Sequence, residues 1–235
     1  MTHRFISASA AVLVAGLLIA SPAGAVDIFS ADFEPPAYSL GPIAGQNGWS
    51  NVGTVESSTA LGTQALAVTL PPGDGPFHEA MQPLPNIPVL GQVVTVSADL
   101  RYGEAESVAT SIPLFGDSGL IGQVYYDNGF FLGNTDEGTP VLSSADDAWH
   151  HIVWTLNFSA LSMSASVDGT SLGSLPINNN IAPTQLNSFY FYVQGAASTS
   201  QTGYLDNVDI TMTPEPSAIA LILLTSGGML VGRRR

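Results

Sequence analysis

Neither cysteine nor lysine occurs in the 235 residues, and the chain has only five basic side chains, all arginine. Without cysteine there is no thiol nucleophile, no iron–sulfur cluster, no cysteine zinc site and no disulfide, so the fold must stand on its core. The cations are also badly placed. Arg4 lies near the start and Arg233, Arg234 and Arg235 at the end, leaving Arg101 alone between Val26 and Thr213. That stretch holds 18 acidic residues against one arginine, a formal charge of −17. Such a surface repels phosphate backbones and anionic lipid, which excludes nucleic acid as a partner. It favours solubility and draws divalent cations.

Helical periodicity is missing as well. No window between Val26 and Thr213 carries an i, i+3, i+4 apolar stripe. Alternation takes its place. Val94, Val96, Ala98, Leu100 and Tyr102 alternate with Thr95, Ser97, Asp99 and Arg101. Ile152, Trp154, Leu156 and Phe158 alternate with Val153, Thr155 and Asn157, and Leu161 to Val167 keeps period two throughout. Phe189, Phe191 and Val193 alternate with Tyr190, Tyr192 and Gln194. Each run predicts a half-buried strand. Asn128-Gly129, Asp168-Gly169 and Asn178 to Asn180 supply turn chemistry between them. The pattern predicts an all-β, two-sheet antiparallel jelly-roll sandwich over residues 26–213.

The two ends of the chain differ from this body. Thr2 to Arg4 form a positive start, Ile6 to Ala20 are almost all small or apolar, and Ala23-Gly24-Ala25 has the small-x-small form of a signal-peptidase site. Residues 1–25 therefore read as a signal peptide cut after Ala25. At the other end, Pro214-Glu215-Pro216 precedes 16 uncharged residues, Ser217 to Gly232, and then three arginines. As a helix the apolar run spans about 24 Å at 1.5 Å per residue, short against a bilayer core of roughly 30 Å. The arginines would stay on the cytoplasmic side. Residues 214–235 resemble the PEP-CTERM sorting signal of exported bacterial proteins. That resemblance implies an exosortase-type partner that cuts at the motif. It also implies a transient membrane contact through the C-terminal helix, and a final location at the cell surface or in the extracellular matrix.

The candidate chemistry is thin. Gly169-Thr170-Ser171-Leu172-Gly173 fits the nucleophile-elbow pattern, but no helical stretch follows and no histidine lies beyond His151, so it reads as a hairpin turn. His150 and His151 are adjacent in a predicted strand and point to opposite faces, so one ion cannot take both. The pairs Glu104/Glu106 and Asp32/Glu34 are the acidic i, i+2 spacings that a glycosidase reading would use, and no longer alternating acidic run exists. No catalytic residue is assigned.

A second resemblance rests on Trp149-His150-His151-Ile152-Val153 followed by Val167-Asp168-Gly169. The segment Tyr204-Leu205-Asp206-Asn207-Val208 adds to it, as do Phe33-Glu34 and Gly45-Gln46-Asn47-Gly48-Trp49. These patches resemble laminin-G-like, concanavalin-A-like jelly rolls, which implies glycan-binding or adhesive modules. Parity puts Asp206 on the core face with Val208, Ile210 and Met212, where a carboxylate must be paired or coordinated. The resemblance implies that Glu34, in the first strand, meets Asp206 at a structural calcium site; the alternative is a strand-end carboxylate bonded to backbone amides. No other cofactor is expected. Trp49, Tyr190 and Tyr192 are the candidate glycan-binding aromatics. The expected function is that of an exported non-enzymatic surface or matrix module. The alternatives are a carbohydrate-active enzyme on the same fold and a purely structural matrix protein.

Overall fold

A computed structural model describes residues 24–57, 62–74, 77–103, 108–127, 130–133, 142–143, 148–177, 183–195 and 200–215. The signal segment through Ala23, the acidic pair Glu104 and Glu106, and the tail from Pro216 onward, with Arg233, Arg234 and Arg235, lie outside the described residues.

The described chain is all β. The strands of the first half are β1 (Val26–Ala31), β2 (Gly41–Pro42), β3 (Ser50–Asn51), β4 (Thr54–Ser57), β5 (Gln64–Leu70), β6 (Phe77–Pro88), β7 (Gln92–Gly103) and β8 (Val108–Gly116). Those of the second half are β9 (Gly119–Asp127), β10 (Phe130–Gly133), β11 (Leu142–Ser143), β12 (Trp149–Asn157), β13 (Ser162–Val167), β14 (Thr170–Pro176), β15 (Gln185–Gly195) and β16 (Gln201–Pro214). They form two antiparallel sheets. Sheet A runs β14-β13-β12-β7-β16-β5-β4-β2, with β1 also on β16; sheet B runs β11-β10-β9-β8-β15-β6-β3. Among the described residues no helix is long and apolar enough to cross a membrane.

The period-two runs become strands because each has one apolar edge to bury. Val94, Val96, Ala98 and Leu100 of β7 and Ile152, Trp154 and Leu156 of β12 are fully enclosed in sheet A. Phe189, Phe191 and Val193 of β15 supply the inner face of sheet B, with Ile112 and Leu114 of β8. All of these belong to one core cluster. Each large side chain so buried contributes roughly 1.5–3 kcal/mol. Gly122 of β9 shows how closely the sheets approach. A Cβ there would lie 3.0 Å from Met163 Sδ and 3.2 Å from Trp154 Cζ3, so only glycine leaves room for the indole.

The elbow-like pentapeptide is the expected hairpin. Asp168 and Gly169 take positive φ (49° and 77°), β14 follows at once, and Ser171 Oγ accepts a hydrogen bond from Gly173 N at 3.1 Å.

β16 changes partner midway. Gln201 to Leu205 pair with β5, whereas Val208 to Met212 pair with β1. On its other side β16 follows β7, but three steps from Asp206 to Asp209 match two steps from Asp99 to Ser97. Asn207, at φ 49°, is part of this bulge. β16 also runs through Pro214, one residue beyond Thr213. Glu215 N donates to Gly91 O at 3.0 Å, and the Glu215 carboxylate accepts from Ser159 N at 3.4 Å. Val26 pairs with Met212, so both ends of the described chain leave from one end of the sandwich.

Candidate functional site

Two places concentrate polar and aromatic side chains. The first is the outer face of sheet B. Because Phe189, Phe191 and Val193 point inward, Tyr190, Tyr192 and Gln194 point outward, as the alternation predicts. The two tyrosine rings stack on each other at 5.4 Å between centroids with 6° between planes. Phe77 stands edge-on to Tyr192 at 5.7 Å, and Phe115 edge-on to Tyr190 at 5.0 Å. The result is a continuous row, Phe77–Tyr192–Tyr190–Phe115. Each tyrosine gives one ring face to the other, so ring edges and the 48% exposed Phe77 are what a ligand meets.

Beside the row lies a groove of about 210 Å³ that includes Ser111, Pro113, Gln123, Tyr125, Tyr192 and Gln194. Strand pairing builds it: Tyr192 lies opposite Ser111 of β8, and Ser111 opposite Tyr125 of β9. Glu79 of β6 flanks Tyr192 on its other side. Burial first, then the hydrogen bond to Glu79 and the charges of Glu79 and Tyr190, hold the Tyr192 phenol above its ordinary range. It therefore remains a hydrogen-bond donor at any physiological pH.

Trp49 does not belong to this surface. It is 1% exposed, packed between Phe33 and Phe189 at 5.7 and 6.3 Å, and its Nε1 donates to Tyr38 Oη at 3.2 Å. A ring enclosed in this way cannot stack on a sugar, so the expectation for Trp49 is corrected to a core role. Phe77, Phe115 and Gln123 were not singled out from the sequence. Their only signal was strand parity, which does not say which strands become neighbours.

The second place is an acidic corner where β16 changes partner. Asp206 lies opposite Asp99. The bulge after Asp206 reverses parity: Leu205 and Ile210 both face the core, and Asp206 shares the outer face with Asp99. The expectation that Asp206 points into the core with Val208 is thus corrected; the extra residue in the bulge shifts the register by one. Asp206 is nevertheless only 2% exposed. Burial pushes its carboxyl up to about 7, the hydrogen bond from Asn207 N at 2.8 Å works against this, and the charges of Asp99, Glu34 and Asp32 add to it. Asp99 is engaged on both oxygens, with His151 Nδ1 at 2.7 Å and with Asn207 Nδ2, which donates at 2.8 Å.

Glu34 is near enough to act on Asp206, but it sits in the loop after β1 rather than in the first strand. Its Oε1 accepts from Gln64 N at 2.8 Å and from the Thr63 hydroxyl. Among the described residues no group of three or more His, Asp or Glu side chains is arranged to hold a metal ion. The adjacent histidines divide as expected: His150 Nδ1 pairs with Asp168 at 2.7 Å, whereas His151 serves Asp99. The His150 side chain is mostly buried and the His151 side chain is exposed.

No protein-family model and no curated protein matches the chain. Solved structures do. A sialidase superposes with a TM-score of 0.61 at 13% identity, over 77% of this chain and 18% of the sialidase. Peanut lectin with a 9mer peptide gives 0.56 at 12% identity, over 81% and 98%. The binding domain of botulinum neurotoxin DC in complex with rat synaptotagmin II gives 0.53 at 11%, over 85% and 51%. The chain thus spans about a fifth of the sialidase and half of the neurotoxin domain. At such identities these likenesses show the fold alone. The described body is an all-β, two-sheet antiparallel sandwich of the lectin-like jelly-roll kind.

Proposed function

We propose that this chain is an exported, non-enzymatic surface or matrix module that binds glycans along the outer face of sheet B. The aromatic row Phe77–Tyr192–Tyr190–Phe115 beside a groove of amide and hydroxyl side chains carries this reading. The 48% exposed Phe77 offers apolar ring surface to the C–H groups of a sugar, while Gln123, Gln194, Ser111 and Tyr192 offer donors and acceptors to its hydroxyls. The lectin among the similar folds supports it. The sialidase among them leaves an enzyme as the second reading. Glycoside hydrolysis by the usual route asks for two carboxylates within about 10 Å; in sheet B, Glu79 of β6 and Asp127 of β9 lie three strand spacings apart, about 14 Å, with β15 and β8 between them. A carbohydrate-active enzyme would rest on another pair, such as Glu104 and Glu106 or Asp32 and Glu34.

Export and sorting belong to the same proposal. The signal segment before Val26 and the PEP-CTERM-like tail after Glu215 join the body at one end of the sandwich, which suits a body held at a membrane before an exosortase-type enzyme releases it. Titration of the full chain, kept soluble in a zwitterionic detergent, against a glycan panel tests the binding. Saturable binding lost in Tyr192→Ala supports the reading; no glycan binding by the folded protein overturns it. Fractionation of cells carrying the tagged chain tests export, and a wholly cytoplasmic product sinks that part.

A further inference from the structure

Resting on the glycan reading of the sheet B groove, we infer that the site is selective for uncharged glycans and rejects those bearing carboxylates. Recognition of a uronate or another acidic sugar requires a cation or a cluster of free backbone N–H groups. Among the described residues, the outer face of sheet B has neither. Its backbone amides are committed to the ladders between β6, β15, β8 and β9. Arg101, the one arginine between Val26 and Thr213, is buried in β7 of sheet A, opposite Trp149 and Tyr204. His150 and His151 also lie in sheet A, each against a carboxylate.

His78 lies between Phe77 and Glu79 in β6. It shares the register of inward-facing Val193, contacts Thr69 O at 2.6 Å and pairs with Asp74 at 3.2 Å. The neighbouring loop sequences bring no cation either. The sequence between β10 and β11 contains Asp136 and Glu137 and no basic residue, and that before β12 contains Asp146 and Asp147.

The polar groups that line the groove are uncharged. Gln123 and Gln194 each donate and accept, as do Ser111 and Tyr125. This matches sugar hydroxyls, which also do both. The charge at the rim is negative: the Glu79 carboxylate accepts from the Tyr192 hydroxyl, and Asn51 Nδ2 donates to its Oε1 at 2.8 Å. A glycan carboxylate brought beside Tyr192 would face Glu79 across a partly desolvated surface, within a body of formal charge −17.

Matched pairs test this directly. The probes are β-linked gluco- and manno-oligosaccharides and the same oligosaccharides oxidised at C6 to uronates, titrated into the full chain at low and at high salt. The neutral member should bind at least about tenfold more tightly at low salt, and the ratio should shrink as salt screens the repulsion. Glu79→Gln, which keeps shape and an acceptor but removes the rim charge, should narrow the ratio at low salt by tightening the oxidised member more than the neutral one. Equal or tighter binding of the oxidised member overturns the inference and leaves the glycan reading intact. Failure of every pair to bind in a Tyr192-dependent way overturns both.

Discussion

Asp206 and Asp99 face each other across β16 and β7 on the outer face of sheet A, with Asn207 bonded to both: its backbone N–H to one carboxylate and its side-chain amide to the other. Asp99 also has His151, whereas among the described residues Asp206 has only the bond from its neighbour's amide to set against burial. The two carboxylates are therefore differently compensated although they stand side by side.

A pH dependence follows. The Asp206 carboxyl titrates at about 7 in the folded chain, above its ordinary value of 3.8. Between about pH 4 and 7 the folded state keeps a proton that the unfolded chain has lost. Stability should therefore fall as pH rises through that window and level off above it. The loss should reach up to ~4 kcal/mol, since each pH unit between the two titration points is worth about 1.4 kcal/mol. Denaturant unfolding from pH 4 to 8 measures this. Asp206→Asn should remove most of the slope; an unchanged slope would assign it to other groups.

A calcium ion at Glu34 and Asp206, if bound as proposed, would compensate Asp206 differently from a proton and makes a distinguishable prediction. Millimolar calcium should raise the unfolding midpoint at pH 8, where Asp206 is ionised, more than magnesium does. It should have little effect at pH 5, and Asp206→Ala should abolish the difference. A ligand at a hundredfold excess over its dissociation constant adds ~2.7 kcal/mol. Coincident curves in calcium, magnesium and EDTA at pH 8 would count against the site and leave Asp206 with the Asn207 N–H bond and, below about pH 7, its proton.

Trp154 is completely enclosed between the sheets, against Gly122 and Met163. Trp154→Ala should cost roughly 3–5 kcal/mol through lost burial and the cavity left behind. A change below about 1 kcal/mol in equilibrium unfolding would be incompatible with this packing.

The sorting proposal predicts a mature product without Arg233, Arg234 and Arg235, read by mass spectrometry of exported material. Pro214 ends β16 and Glu215 is tied to Gly91 and Ser159. Cleavage at the motif should thus be faster on chains whose last strand has not yet docked than on the folded protein. Equal rates on folded and urea-unfolded chains would separate processing from the fold.

Much of the architecture is local and so was legible in the chain itself. Period-two alternation in β7, β12, β13 and β15 determined which side chains are buried, because adjacent residues of a strand must face opposite ways. The same rule separated His150 from His151 and sent Tyr190 and Tyr192 outward. Asp168-Gly169 specified a hairpin because its conformation needs positive φ. The near absence of cations, which underlies the expected rejection of acidic glycans, is a property of composition alone.

Tertiary structure decided the rest, because it depends on partners far apart in sequence. The groove exists only because β15 lies between β6 and β8, which brings Phe77, Glu79, Phe115 and Gln123 to the tyrosines. Trp49 follows a turn and looks available until Phe33, Tyr38 and Phe189 close over it. Asp206 changed faces because one extra residue at Asn207 has no partner on β7, so parity reverses between Leu205 and Val208, and the apolar alternation alone does not say on which side of that break Asp206 falls.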